Sequence, residues 1–184
     1  IRMEYPGVFL ETHKLIFRLI REGKVTGLRV DHPDGLYNPS EYFQKLQRNC
    51  FLHKGIGALK NVADHPDSEA ELVKQYDDRL LSDPQMKPFY IVGEKILIKG
   101  EKIPEDWPIY GTTGYDYLNS LNGLFVETVN AKAFDDIYTR FIKSKINFQD
   151  IIYEKKILIM ETVMSSEVNT LGHFLNRLSE KNRH

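Results

Sequence analysis

Two acidic residues stand where the chain can do chemistry. Asp31 directly follows the run Val25-Thr26-Gly27-Leu28-Arg29-Val30, and Glu94 follows Phe89-Tyr90-Ile91-Val92 after one glycine. Both runs are brief, rich in β-branched or aromatic residues and bounded by Gly or Pro, the composition of a strand. In parallel α/β architectures the loops at the carboxyl ends of strands carry the chemistry. Neighbouring strands lie about 4.7–4.9 Å apart. Acids just past two adjacent strand ends can therefore sit about 5–5.5 Å apart, the separation used in retaining glycosyl transfer. One carboxylate then attacks an anomeric carbon. The other protonates the leaving oxygen and later deprotonates the acceptor. Arg29, two residues before Asp31, shares its strand face and is placed to hold that carboxylate ionised and oriented. A plainer reading stands beside this one. Asp before Pro and Gly is ordinary turn chemistry, and a lone Glu after a strand is commonly a solvated surface group.

The elements that must position these acids are mostly helical. Val8–Glu22 carries apolar residues near 3.6-residue spacing (Val8, Phe9, Leu15, Ile16, Leu19, Ile20), and Gly23 stands where a helix stops. Asn38-Pro39-Ser40-Glu41 is a start signal: Asn38 caps, Pro39 suits the first helical position, and Glu41 can reach back. Ser68-Glu69-Ala70-Glu71 repeats the logic ahead of Leu72, Val73, Tyr76 and Leu80, as does Thr113-Gly114-Tyr115-Asp116 ahead of Leu118 and Leu121. Ala131–Lys143, Ile151–Met164 and Glu167–Leu178 also read as helices. The stretch 51–88 between the two strands looks inserted, punctuated by Gly55, Gly57, Pro66, Pro84 and Pro88. Two strands cannot form an independent parallel sheet covered on both faces. Either strands from elsewhere are missing, or this is a helical fold with an underdeveloped sheet. The expectation is an α/β, predominantly helical chain: a segment over 1–106, with strands near 25–31 and 89–94, then a mostly helical subdomain over 107–184.

Composition bounds the class. The 184 residues carry 25 Lys+Arg against 26 Asp+Glu, a net charge of −1, which argues against a basic nucleic-acid surface. Hydrophobic residues make up 41% and charged residues 28%, enough for a packed core. The single Cys50 excludes an intramolecular disulfide and a multi-cysteine zinc site. No run approaches the roughly eighteen consecutive apolar residues of a membrane span, and the first residues lack a secretion signal's apolar run. The expectation is a cytoplasmic, excised segment, beginning at Ile1, with no cofactor, no nucleic-acid partner and no membrane partner.

Longer motifs sharpen this. Gly27-Leu28-Arg29-Val30-Asp31-His32-Pro33-Asp34-Gly35-Leu36-Tyr37-Asn38-Pro39 resembles the second conserved region of the α-amylase superfamily, in the form found in maltooligosyl trehalose synthases. Tyr90-Ile91-Val92-Gly93-Glu94-Lys95-Ile96-Leu97 resembles the third region. The run from Ile103 through Gly111-Thr112-Thr113-Gly114-Tyr115-Asp116 to Val126, and Lys156–Asn169, are similar to segments distinctive of the synthases. The resemblance spans Phe9 to about Arg177 and implies two consecutive strands of a (β/α)8 TIM barrel with a large helical insertion. It implies Asp31 as nucleophile, Glu94 as general acid/base, Arg29 as the arginine preceding the nucleophile, and His32 and Lys95 as sugar contacts. Tyr115 would offer a ring for sugar stacking, against the alternative of a tyrosine packed in the core. Trp107 has the same two readings. The implied activity is isomerisation of a maltooligosaccharide's reducing-end α-1,4 bond to an α,α-1,1 bond. A third carboxylate would lie outside this chain, so the piece alone is expected to be inactive. Another superfamily hydrolase or transferase is the alternative.

Two further readings stay open. His32-Pro33-Asp34 and His65-Pro66-Asp67 spell the tripeptide of J-domain co-chaperones, a protein-binding module that sets it between two antiparallel helices. Asp31, His32 and Asp34 could ligate a divalent ion, although no further ligand is evident. Strand faces without barrel neighbours would favour self-association.

Overall fold

The computed structural model describes residues 1–59, 68–98 and 100–183, and the chain divides into two compact units, Ile1–Phe125 and Val126–His184. The first unit runs α1 (Pro6–Arg21), β1 (Gly27–Val30), a 3-10 turn (Pro33–Gly35), α2 (Pro39–Leu59), α3 (Ser68–Ser82), β2 (Tyr90–Gly93) and α4 (Tyr115–Gly123). Within the stretch 51–88, α2 continues unbroken through residue 51 to Leu59, and Leu52 extends the buried face begun by Phe43, Leu46 and Cys50. His65-Pro66-Asp67 lies outside the described residues. The other copy of that tripeptide lies in the 3-10 turn at the end of β1, not between antiparallel helices.

Local signals account for the helix ends. Pro6 occupies the first turn of α1. At its far end Gly23 adopts φ 70°, which lets its N–H reach the Ile20 carbonyl while Lys24 N–H reaches Leu19. At the start of α2 the Asn38 side-chain oxygen accepts from Glu41 N–H at 3.2 Å, and Glu41 in turn accepts from the Asn38 amide group at 3.3 Å. The α4 cap differs from expectation. Gly114 itself takes the cap position, at φ 118° and without a side-chain cap bond, while the Thr112 hydroxyl accepts from Gly114 N–H and donates to Asp116.

β1 and β2 pair in parallel, with Gly27 opposite Tyr90, Leu28 opposite Ile91, Arg29 opposite Val92 and Val30 opposite Gly93. The segment after Ile109 runs along the other edge of β2, where Tyr110 N–H bonds Ile91 O, Gly93 N–H bonds Gly111 O, and Gly93 bridges Thr112 in parallel. Ile91 and Gly93 are buried, and Leu28 and Val30 pack on the same core. Arg29 and Tyr90, which point the other way, are exposed. The core joins Phe9, Phe17 and Ile20 of α1 with Phe43, Leu46 and Cys50 of α2, and with Phe89, Ile91, Trp107 and Ile109. Each fully buried phenylalanine contributes about 1.5–3 kcal/mol relative to exposure. Trp107 and Ile109 thus belong to the first unit's core, so this unit extends past the boundary expected at 106. On α1, Leu15 stays half exposed because Phe17 takes the inward position.

Gln47 is fully buried and acts as a polar hub. Its amide donates to Phe89 O at 3.0 Å and Pro108 O at 2.7 Å, and its oxygen accepts from Phe89 N–H at 2.9 Å. One side chain on α2 therefore fixes both the entry to β2 and the loop at 108. Burial pushes the Cys50 thiol up to about 12, the state of an inert core cysteine.

The second unit contains a 3-10 turn (Thr128–Asn130), α5 (Ala131–Ile142), α6 (Phe148–Thr162) and α7 (Ser165–Lys181). None of its described residues is buried. No helix among the described residues is long and apolar enough to cross a membrane.

Candidate active site

Every paired position across β1 and β2 differs by 63 in number, and so do Asp31 and Glu94 (94 − 31 = 63). The two acids therefore follow directly on the last paired rung, Val30 with Gly93. Glu94 N–H closes that rung by donating to Val30 O at 2.7 Å. The strands there lie about 4.8 Å apart, and alternation along each chain carries Asp31 to the side of Arg29 and Glu94 to the side of Tyr90. That face is the exposed one carrying Arg29, not the one packed on the helices.

The chain must turn sharply after Asp31, and it does so at His32, whose φ of 48° and ψ of 50° are left-handed. His32 O then accepts from Gly35 N–H, closing the 3-10 turn over buried Pro33. The His32 ring lies over Gly35, where a Cβ would come within 3.1 Å of it. Turning this way aims the His32 amide at the second acid, and it donates to Glu94 Oε2 at 3.0 Å. The other oxygen, Oε1, accepts from the Tyr115 hydroxyl at 3.3 Å, from the first turn of α4. Glu94 thus has one donor on each oxygen. Arg29 makes an ion pair with Asp31 Oδ1 at 2.9 Å, both side chains being more than half exposed.

The remaining predicted residues fall in place less simply. Lys95 is not free toward the acids: its ammonium, 13% exposed, contacts Asp34 at 3.1 Å and Glu101 at 2.8 Å. Those bonds, Glu101 first, raise the Lys95 pKa, and the same lysine holds the Glu101 carboxyl below its ordinary range. Tyr115 is half-buried and turns its hydroxyl to Glu94. Trp107 is buried against the Phe43 ring at 5.2 Å, so it packs the loop and is not an open platform. Asp34 is occupied by Lys95, and among the described residues no group of three or more His, Cys, Asp or Glu is arranged to hold a metal ion. A cavity of about 770 Å³ lies between α2, α3 and the loop at 105–108, lined in part by Arg48, Tyr76, Lys87 and Trp107 and by neither acid.

The sequence carries no signal for the pairing of Lys95 with Asp34 and Glu101, nor for the edge segment that carries Thr112. The two lysine partners leave no periodic signal, since both sit in turns. The edge segment is too short to read as a strand, although Ile109-Tyr110 beside Gly111 has strand composition.

No protein-family model matches the chain. Proteins named as trehalose synthases resemble it over nearly all of its length. A DSM5389 glycosyltrehalose synthase of solved structure shares 32% identity, with a TM-score of 0.69 over 95% of this chain and 19% of its own. The chain also resembles the maltooligosyltrehalose synthase of Arthrobacter ramosus, at 31% identity and a TM-score of 0.65, over 92% of this chain and 18% of the other. A Mycobacterium tuberculosis protein bearing the maltooligosyl trehalose synthase name is 28% identical over 179 residues, 97% of this chain and 18% of that protein. The chain spans under a fifth of the length of these relatives. The likeness read from its motifs is therefore shown: this is a sequence similar to an internal stretch of maltooligosyl trehalose synthases.

Proposed function

We propose that this chain supplies two of the catalytic carboxylates of a maltooligosyl trehalose synthase, from two neighbouring strands of a (β/α)8 barrel. The observation that carries the reading is the position of Asp31 and Glu94 directly past the last paired rung of two parallel strands, tied by the His32–Glu94 hydrogen bond. Their exposed strand face, opposite the helix-packed one, matches the inward face of a barrel wall. The name shared by the relatives supplies the substrate class, a maltooligosaccharide.

In this reading Asp31 Oδ attacks the anomeric carbon of the penultimate glucose, and the bond to the terminal glucose oxygen breaks as Glu94 delivers its proton to that oxygen. The Arg29 guanidinium beside Asp31 aims the attacking carboxylate. The released glucose stays bound and turns. Its anomeric hydroxyl gives a proton to Glu94 while its oxygen displaces Asp31, forming the α,α-1,1 bond and restoring both acids. Transfer outruns hydrolysis only if water is kept from the glycosyl-enzyme. The third carboxylate that the resemblance implies belongs to segments of the relatives that this chain does not span.

The test uses an enzyme of the relatives' full length carrying this segment, with loss of maltohexaose reducing ends as the readout. Asp31→Asn and Glu94→Gln should each lower kcat by about 10³-fold or more. A 2-deoxy-2-fluoroglucosyl fluoride should label Asp31, read by peptide mass spectrometry. Near-normal turnover in Asp31→Asn, or a label on another carboxylate, would overturn the reading.

A further inference from the structure

The two acid-bearing turns are tied together twice, and the two ties differ in kind. One is the Glu94 carboxylate itself, which accepts from His32 N–H in the turn after Asp31. The other is the Lys95 ammonium, which bridges Asp34 at 3.1 Å and Glu101 at 2.8 Å. Asp34 sits in the 3-10 turn that follows Asp31. Glu101 lies beyond β2, and its second oxygen accepts from Ile98 N–H at 3.1 Å, so the loop after Glu94 is folded back onto the same ammonium. The lysine side chain is 13% exposed while those of Asp34 and Glu101 keep 44% and 34%, so the bridge sits at the surface and holds the ammonium through two charge-assisted bonds.

We infer that Lys95, Asp34 and Glu101 form a positioning clamp for the acid pair, and that Lys95 is a positioning residue and not a sugar contact. The inference rests on the reading of Asp31 and Glu94 given above. Each Glu94 oxygen already holds one donor, His32 N–H or Tyr115 OH. To reach a glycosidic oxygen the carboxylate has to release one of them. If the oxygen released is Oε2, the first tie between the turns opens just when the acids must stay in register. The clamp does not involve Glu94, so it persists through that exchange. A lysine committed to two carboxylates also has little capacity left for sugar hydroxyls, having three donors in all.

Amide hydrogen exchange on this chain separates the two ties. Glu94→Ala should speed exchange at His32 alone, whereas Lys95→Met should speed it about tenfold or more across both turns, 31–36 and 94–98. Lys95→Arg should restore most of the protection. Asp34→Asn and Glu101→Gln, which keep size and shape, should give smaller increases in the same amides and serve if Lys95→Met fails to fold. In the full-length enzyme Lys95→Met should lower kcat by about 10- to 100-fold, the scale of an ångström-sized misplacement, and leave KM within a few-fold. Exchange in Lys95→Met, Asp34→Asn and Glu101→Gln that matches the wild type would overturn the clamp. So would a Lys95→Met enzyme with a raised KM and normal kcat, which would make Lys95 a sugar contact. If Asp31→Asn stays active while Lys95→Met still loosens both turns, the functional reading fails and the clamp alone stands.

Discussion

The backbone amide of His32, one residue beyond Asp31, is hydrogen-bonded at 3.0 Å to the Glu94 carboxylate. Backbone geometry thus couples the two acids, and the coupling depends on a left-handed residue at position 32. An L-residue in that region carries a strain of roughly 1–2 kcal/mol, smallest for Gly and Asn and largest for β-branched types. His32→Gly should therefore fold with stability close to the wild type. His32→Val should lose about 1–3 kcal/mol by urea denaturation. Equal stability for the two variants would show that the turn does not constrain the backbone at 32.

Gln47 makes a second prediction. Gln47→Leu leaves Phe89 N–H, Phe89 O and Pro108 O without their partner in a dry core. Each orphaned group costs about 1–3 kcal/mol, so the variant should lose at least about 3 kcal/mol or fail to fold. Gln47→Glu should also destabilise, because a carboxylate cannot donate to the two carbonyls. Chemical denaturation followed by tryptophan fluorescence reads this directly, since Trp107 is next to the hub.

Two glycines of α2 separate backbone from side-chain crowding. A Cβ on Gly57 would lie 2.1 Å from the Arg21 carbonyl oxygen at the end of α1. One on Gly55 would meet only the mobile tip of Leu72, at 2.7 Å. Gly57→Ala should therefore pry α1 from α2 and cost about 2–3 kcal/mol or more, as overpacking does when the neighbour cannot yield. Gly55→Ala should cost less than about 1 kcal/mol, because the helix gain for alanine offsets the shift of Leu72. Thermal melts of the two variants make the comparison.

The α1–α2 interface also predicts acid sensitivity. His13 stacks on Phe9 at 4.3 Å and His53 on Phe17 at 4.9 Å. Burial lowers both pKa values below 6.5, opposed at His13 by the Phe9 carbonyl; at His53 the Arg21 charge adds to the lowering and Glu69 opposes it. A lowered folded-state pKa makes the stabilisation full above 6.5 and lost as pH falls through the folded values. The urea midpoint should therefore drop as pH goes from about 7 to about 5. His53→Phe keeps the stack and should flatten part of that slope. An unchanged slope would mean that His53 stays neutral for other reasons or is not buried in solution.

Much of the site was legible because its signals are local. The strand-like runs, the acids at their ends and the Asn38 cap each depend on a few adjacent residues. Register is not local, and nothing in the spacing alone says that Val30 pairs with Gly93 and sets Asp31 and Glu94 side by side. The ion pairs of Lys95 are equally hidden, because its partners arrive from the turns after two different strands. Gln47 does carry a local signal, since it shares a helix stripe with Phe43, Leu46 and Cys50, where a polar residue marks a buried hydrogen-bond hub. Tyr115 needed the segment after Ile109 to fold along β2 before its hydroxyl could meet Glu94.

Helices α5 to α7 bury no described side chain, whereas the core of the chain is drawn from the first unit, from Phe9 to Ile109. Heat-capacity increments on melting track apolar surface newly wetted, at about 12–15 cal/mol/K per residue of a packed domain. A calorimetric trace of the chain should thus show an increment near that of a domain of 125 residues, about 1.5–1.9 kcal/mol/K, and not that of all 184. The last third would melt as a shallow slope in the helical circular dichroism, without a heat-absorption peak of its own.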